Sequence, residues 1–331
     1  MRKVLIVGGR GFLGAHLARE LLGEGYEVHT LGRSPVGGDI NLANLHHHQG
    51  DAKKSAEFLA RLSPIQMIFY LAHEGWPGFP WENEKDTEER CLQPLRCFLD
   101  SITPTIEGLP RTVYVSSGGA IYGHQGSLPI PEQTTLQPVS QYGRIKFKAE
   151  QLGLELWRTR GLFFLAVRPG NAYGPGQIPG RGAGFPAAAI QAIHSRVEIP
   201  IFGFPGTVRD YLHVRDVVRG IRLLGENGQV GEAYNLGTGI GTNNAEIVEM
   251  LRPWAEEEKL PVRVQKLERR ECDVQSVVLD SAKALAACQW MAQVDLPSGL
   301  AEFWKVFSSA KKREACQARG SRAGGIEAQS P

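Results

Sequence analysis

Tyr142 and Lys146 stand four residues apart in QYGRIK, a spacing that places both side chains on one face of a helix. The pair suits removal of a proton from a hydroxyl. Taking hydride from a carbinol carbon requires a base for the hydroxyl proton, and a free tyrosine titrates near 10. Working near neutrality demands depression by about three units, roughly 4 kcal/mol. One ammonium about 4 Å away in a partly dry cleft supplies an energy of that order. Any Tyr-x-x-x-Lys can instead be a surface tyrosine beside a solvated lysine, but here the pair follows SSGGAIYG and sits directly in PVSQYG.

A second constellation opens the chain. Gly8, Gly11 and Gly14 lie in VLIVGGRGFLGAHLARELL, after an apolar run and at the start of a helical pattern. Glycine spacing alone is a weak signal. A strand before it and a helix after it make it a dinucleotide fingerprint, in which the backbone turns tightly and a pyrophosphate sits on the helix N-terminus. The alternative is a glycine-rich turn that holds no ligand.

The elements that position these residues alternate. Residues 3–7, 28–31, 45–48, 67–71, 112–115 and 163–167 read as strands, and Leu13, Leu17, Ala18 and Leu21 share a helix face after the first. Such alternation implies a parallel sheet covered on both faces. The expected fold is α/β, a Rossmann-type doubly wound parallel sheet with a smaller C-terminal substrate-binding lobe. The dinucleotide-binding domain spans 1–168, with the chain returning to it near 210–235, and 169–308 form most of the lobe. After Pro169 the texture becomes Gly- and Pro-rich, with a helix near 186–194. The polar, small residues 309–331 read as a disordered tail.

Composition bounds the rest. The 331 residues are 42% apolar and 22% charged, which excludes a disordered, collagen-like or coiled-coil chain. Net charge is +2, but residues 311–331 hold five basic and two acidic groups, so the body carries +2 − 3 = −1. A near-neutral body offers little to a polyanion, and no nucleic-acid partner is expected. Five scattered cysteines form no CxxC pair and no zinc spacing, which fits reduced thiols. No run of 18 apolar residues occurs, so a soluble cytoplasmic protein without a membrane partner is expected.

Several motifs follow one another in order: Gly50-Asp51, Leu71-Ala72-His73, Ser116-Ser117 before Ile121-Tyr122-Gly123, Tyr142 to Lys146, RPGNAYGP from Arg168, RDYLHV from Arg209, YNLGTG from Tyr234, and Arg270 with Asp273. Together they resemble the extended short-chain dehydrogenases, the NAD-dependent epimerase/dehydratase family of nucleotide-sugar enzymes such as the UDP-glucose 4-epimerases, over residues 1–305. The resemblance implies Tyr142 as acid/base, with Lys146 also holding the nicotinamide ribose. It places Gly8, Gly11, Phe12, Leu13 and Gly14 at the pyrophosphate, Asp51 at adenine and Ala72 beside the cofactor. Asn171, Arg209 and Arg270 would face a nucleotide diphosphate, where planar guanidinium forks pair well with phosphate oxygens. Asp273 would orient Arg270, while Asp210 and Tyr211 would brace their loop. A homodimer paired through two helices of the sheet domain is implied as well.

This sequence departs from the pattern at two places. The third catalytic residue of the family, a Ser or Thr four before the tyrosine of the VYG-like turn, is here Gly118. Ser117 either takes its place by a backbone shift at two glycines, or caps the turn. The acidic pair used by dehydratases, the acid of the decarboxylases and the cysteine of the GDP-fucose-forming enzymes are missing, since Gly119 and Ala120 stand there. What remains is 4-epimerisation through hydride abstraction at C4, a 4-keto intermediate and hydride return, or reduction of a 4-keto sugar by NADPH. A non-catalytic NADPH-binding or RNA-binding relative is a third class, disfavoured by the intact Tyr142 and Lys146. The second departure is Gly32, where NAD-using relatives carry an acid; the Arg33 and Ser34 that follow suit the 2′-phosphate of NADP. Arg33 stacked over adenine with either NAD or NADP is the alternative. His46, His47 and His48 lie in a strand whose neighbours face opposite sides, so no metal site is expected. Residues 82–90 read as a solvated helix start, and Cys91 and Cys97 as core thiols.

Overall fold

The computed structural model describes residues 2–34, 42–76, 79–104, 108–180, 182–270 and 273–323, with side chains to residue 314. Strand β1 (Lys3–Val7) leads through the glycine turn into helix α1 (Phe12–Gly23), followed by β2 (Glu27–Gly32), β3 (Leu45–Gln49), α2 (Ala56–Leu62) and β4 (Met67–Tyr70). Helices α3 (Glu84–Thr87) and α4 (Gln93–Asp100) then precede β5 (Arg111–Val115), the short α5 (Gly118–Ile121), the long α6 (Gln141–Arg160) and β6 (Phe164–Pro169). The second half holds β7 (Asn171–Tyr173), α7 (Phe185–His194), β8 (Ile199–Phe202), β9 (Val208–His213), α8 (Val214–Asn227) and β10 (Ala233–Leu236). It ends with β11 (Gly241–Asn243), α9 (Asn244–Glu257), β12 (Val264–Leu267), β13 (Ser276–Val277), α10 (Ala282–Cys288) and α11 (Leu296–Ala323).

Seven parallel strands form one sheet in the order β10-β6-β5-β4-β1-β2-β3. Both faces are covered, which explains why the strands are apolar runs without alternation. One core gathers Val4, Ile6, Phe69 and Val113 with α1 and α8 residues such as Leu17, Leu21, Val217 and Ile221. The other gathers Leu5, Val7, Ile68 and Tyr114 with Phe98 of α4 and Leu152 of α6. The order reverses between β1 and β4, the topological switch point where open α/β sheets bind ligands beyond the carboxyl ends of their strands.

A separate core of Ile190, Ile193, Ile199, Tyr211, Ile247, Leu251, Leu300 and Trp304 holds α7, β8, β9, α9 and α11 together. Contrary to the disordered tail expected from residue 309, α11 continues to Ala323, and of that tail 324–331 lie outside the described residues. The stretch is rich in alanine, lysine and arginine, all strong helix formers. Buried Ser308 meets His194 Nε2 at 3.0 Å, and Lys312 pairs with Glu258 at 3.4 Å. Among the described residues, no helix is long and apolar enough to cross a membrane.

Candidate active site

A cleft of about 940 Å³ opens over the switch point, a volume within the range that holds cofactors and drug-sized ligands. The ends of β1, β2 and β4 wall it, with Gly50 and Asp51 after β3, Cys91, and Gly176 to Ile178 from the loop beyond β7. His16 of α1 ties that loop down through the Pro175 carbonyl at 2.9 Å.

The glycine turn is built for close backbone approach. Gly8 has φ +89°, and a Cβ there would lie 2.8 Å from Ala72 N; on Gly14 a Cβ would drive into the Gly8 carbonyl. Gly11, the N-cap of α1, carries no side-chain cap and faces the cleft. Its helix therefore presents bare N–H groups to an anion. Gly8, Gly11, Phe12, Arg33, Ser34, Asp51 and Ala72 all line the cleft. Four others expected there do not: Gly14 packs beneath Gly8 and Gly9, Leu13 packs on the sheet core, and Tyr142 and Lys146 are not part of the lining. A dinucleotide fits this cradle, and Gly8, Gly11, Asp51 and Ala72 are the residues that would hold it.

Helix α6 carries Tyr142 and Lys146. Ser140 caps it, accepting from Gly143 N at 3.0 Å, and Gly161 ends it at φ +67°. Gly143 is required for contact, because a Cβ there would strike the Ala120 carbonyl. That approach sets Tyr142 against the turn after β5. Ser117 is the N-cap residue of α5 but makes no side-chain capping bond; its side chain instead faces Tyr142 and draws the tyrosine pKa down. Of the two roles open to Ser117, the missing cap bond leaves the side chain free to act on the tyrosine. Gly118 itself is closed to a side chain, since a Cβ would strike Leu279 and lie 3.0 Å from the Arg168 carbonyl.

The electrostatics of the pair differ from the expected arrangement. Lys146 lies buried, its Nζ donating to the Val115 carbonyl at 2.9 Å and standing 5.8 Å from the Tyr142 ring centroid. Burial pulls its pKa down to about 8. Burial also pushes Tyr142 up to about 12, with the Ser117 hydroxyl opposing the rise. Depression of the tyrosine by the lysine is thus not built into the protein alone, because the walls that dry the site penalise the phenolate more than a lysine turned toward a carbonyl favours it. Nicotinamide dinucleotide, when bound, supplies a hydride acceptor and, in its oxidised form, a positive charge.

His73 links the cleft to this pair. It lines the cleft and meets the Tyr142 ring edge-on at 5.0 Å. Burial holds it well below the ordinary histidine range, so the ring is neutral at pH 7, and its Nε2 is buried without a partner. Asn171 Oδ1 is likewise buried and unpartnered, at the α5 turn where a Cβ on Gly119 would lie 2.9 Å away. Buried polar atoms without partners are uncommon in folded proteins, and the one on His73, in the cleft wall, points to a ligand. Neither role was legible for His73 or for Glu74, the next residue; a strand end pointing into a switch point was the available signal.

Glu74 changes the reading of Arg33. Its carboxylate takes Arg33 Nη2 at 3.2 Å and also pairs with Arg90. Both arginines hold that carboxyl below its usual range, Arg90 chiefly. A carboxylate on Arg33 competes with any phosphate brought there. Arg209 of β9 bonds the Val208 and Gln275 carbonyls through Nη1, and burial lowers its pKa, with the charge of Asp273 opposing. Arg270 is exposed and stacked on Phe202, 3.5 Å from the ring centroid. Residues 271–272 between Arg270 and Asp273 lie outside the described residues. Asp210 accepts four bonds, from Thr238 N and Oγ1, Gly239 N and Leu279 N, and so fixes the loop after β10.

This chain is similar to the UDP-glucose 4-epimerase of Bacillus subtilis, at 29% identity over 92% of this chain and 97% of that protein. Two crystal structures of UDP-glucose 4-epimerases share its fold. The Thermotoga maritima enzyme with UDP-glucose matches with TM-score 0.83 and 29% identity, covering 93% of this chain and 99% of that one. The Thermus thermophilus enzyme in complex with NAD matches with TM-score 0.82 and 26% identity, again over 93% and 99%. A model of the NAD dependent epimerase/dehydratase family matches residues 4–237, where the glycine cradle, Ser117, Tyr142 and Lys146 all lie. The chain belongs to that family, enzymes of the extended short-chain dehydrogenase type.

Proposed function

We propose that this enzyme is a nucleotide-sugar 4-epimerase that uses NAD and interconverts UDP-glucose and UDP-galactose. The observation that carries the reading is the acid/base set itself. Ser117, Tyr142 and Lys146 lie together after β5, with the Cys91 thiol acting on the last two, and Gly119 and Ala120 place no acid or thiol in the turn itself. Such a set moves one proton on and off a sugar hydroxyl, and elimination needs more. Tyr142 takes the C4 hydroxyl proton, Ser117 supports the developing phenolate, and Lys146 keeps a cation near both. The 4-keto sugar then turns over in the site and regains its proton from Tyr142 after reduction on its other face.

In this reading Asn171, Arg209 and Arg270 form the substrate side, and the unpartnered Asn171 oxygen awaits a donor. The Arg33–Glu74 pair favours NAD over NADP, because Glu74 would repel a 2′-phosphate. The likeness to the Thermotoga and Thermus enzymes supports the same sugar and cofactor. Heat denaturation of the purified protein, with identification of the nucleotide released, tests the assignment. About one NAD per chain is expected for an internal redox cycle. A protein that emerges empty and binds NADPH far more tightly than NADH is a 4-ketoreductase, and the epimerase reading then fails.

A further inference from the structure

The edge of the sheet carries a second cluster, away from the acid/base set. Strands β2 and β3 pair in register with His29 opposite His46 and Leu31 opposite His48. Strand alternation sends His47 to the other face, where its Nδ1 lies 2.6 Å from Thr30 Oγ1. The same alternation collects Glu27, His29, His46 and His48 on one face. Adjacent histidines do diverge, as the sequence implied, but the neighbouring strand supplies what the triplet lacks.

Glu27, His29 and His46 each bring one ligand atom within 4.8 Å of the others. The His29 and His46 rings stack with centroids 4.6 Å apart. Buried His29 places Nε2 2.8 Å from Glu27 Oε1 and Nδ1 2.9 Å from His48 Nε2. We propose that Glu27, His29 and His46 form a binding site for a divalent first-row transition ion such as Zn²⁺, with His48 orienting His29 from behind.

Two imidazoles and one carboxylate are the donor set such ions take, with water in the open position. The hydrogen-bond chain suits it. The Glu27 carboxylate only accepts, so without metal His29 carries its hydrogen on Nε2 and its Nδ1 accepts from His48 Nε2–H. With the ion on Nε2, the His29 hydrogen sits on Nδ1 and donates to His48 Nε2, whose own hydrogen moves to Nδ1. Both rings stay neutral and no net proton is lost. A ligating histidine held through its other nitrogen is the usual outer-shell arrangement. His46 is exposed and its ring can turn to close the triangle. Lys3 bears on Glu27 and His29, and Arg61 on His48, so affinity falls below that of a closed four-ligand zinc site. The ion would clamp edge strand β3 to β2, whose far end leads into Arg33 and Ser34 in the cofactor cleft.

The test uses the full chain without an affinity tag, stripped with EDTA and titrated with Zn²⁺ against a chromophoric chelator, with thermal melts alongside. One Zn²⁺ per chain and a raised melting temperature are expected. His46→Ala and Glu27→Gln should each weaken binding by about tenfold or more, and His48→Ala by about tenfold. His47→Ala, on the opposite face, should bind as the parent does. Because His46 is exposed, its variant should melt like the parent without metal, which separates lost binding from lost folding. An unchanged Zn²⁺ affinity in His46→Ala, equal loss in His47→Ala, or no saturable binding by the parent overturns the proposal.

Discussion

Replacing Ser117 by alanine removes a hydroxyl that draws the Tyr142 pKa down. It lowers the tyrosine against a burial effect that holds it up at about 12, so it favours the phenolate. A hydrogen bond to a charged group contributes about 1.5–3 kcal/mol. At about 1.4 kcal/mol per decade, the loss should reduce kcat by roughly 10- to 150-fold. The same energy appears as a rise of about one to two units in the tyrosine pKa. The limb of the pH–rate profile on which activity appears as the base ionises should therefore move to higher pH. Conversion of UDP-galactose to UDP-glucose, coupled to UDP-glucose dehydrogenase and followed across neutral to alkaline pH, reads both effects. Ser117→Thr keeps the hydroxyl and should restore most of the rate and the parental limb. The melting temperature should change little, because Ser117 makes no capping bond. A fall in kcat with the limb unmoved and no rescue by threonine would refute this role and make Ser117 a turn residue.

Three further outcomes follow from the packing. Lys146 keeps a pKa of about 8 against an unfolded value near 10.5, so its charge destabilises the fold below pH 8, and that cost fades as pH rises toward 10.5. The shift corresponds to about 3 kcal/mol, partly offset by about 1 kcal/mol from the Val115 bond. Lys146→Met should thus be inactive yet about 1–2 kcal/mol more stable at pH 7, a gain that chemical denaturation should find absent near pH 10.5. Glu74→Gln frees Arg33 of its carboxylate and should shift the ratio of NADP to NAD affinity upward by roughly tenfold; an unchanged ratio in equilibrium dialysis would remove Glu74 from cofactor choice. Gly143→Ala forces α6 off the Ala120 carbonyl; about 1–3 kcal/mol of stability should go with most of the activity, and a variant with parental rate would mean that this approach does not set Tyr142.

The alternation of strands and helices was legible because a parallel sheet buried on both faces leaves continuous apolar runs, and β1 to β6 were each foreseen within a residue or two. The glycine turn was legible for a local reason: Gly8 and Gly14 touch neighbours a few residues away or at the adjacent strand end. Contacts between distant segments were not. Arg33 and Glu74 are separated by 41 positions, and their pairing depends on two strand ends converging. The histidine cluster depends on the register of β2 against β3, which no single-strand pattern contains. Lys146 failed in direction rather than in place, because spacing says which face a side chain shares but not which carbonyl takes its protons.

The central claim is that hydride leaves and returns to one sugar carbon within a single enzyme. Purified enzyme incubated with UDP-glucose deuterated at C4 tests it most directly, with the product read by NMR. The account predicts UDP-galactose that keeps its deuterium at C4, formed without added reductant. Product carrying solvent hydrogen at C4, or turnover only when NADPH is added, would contradict it.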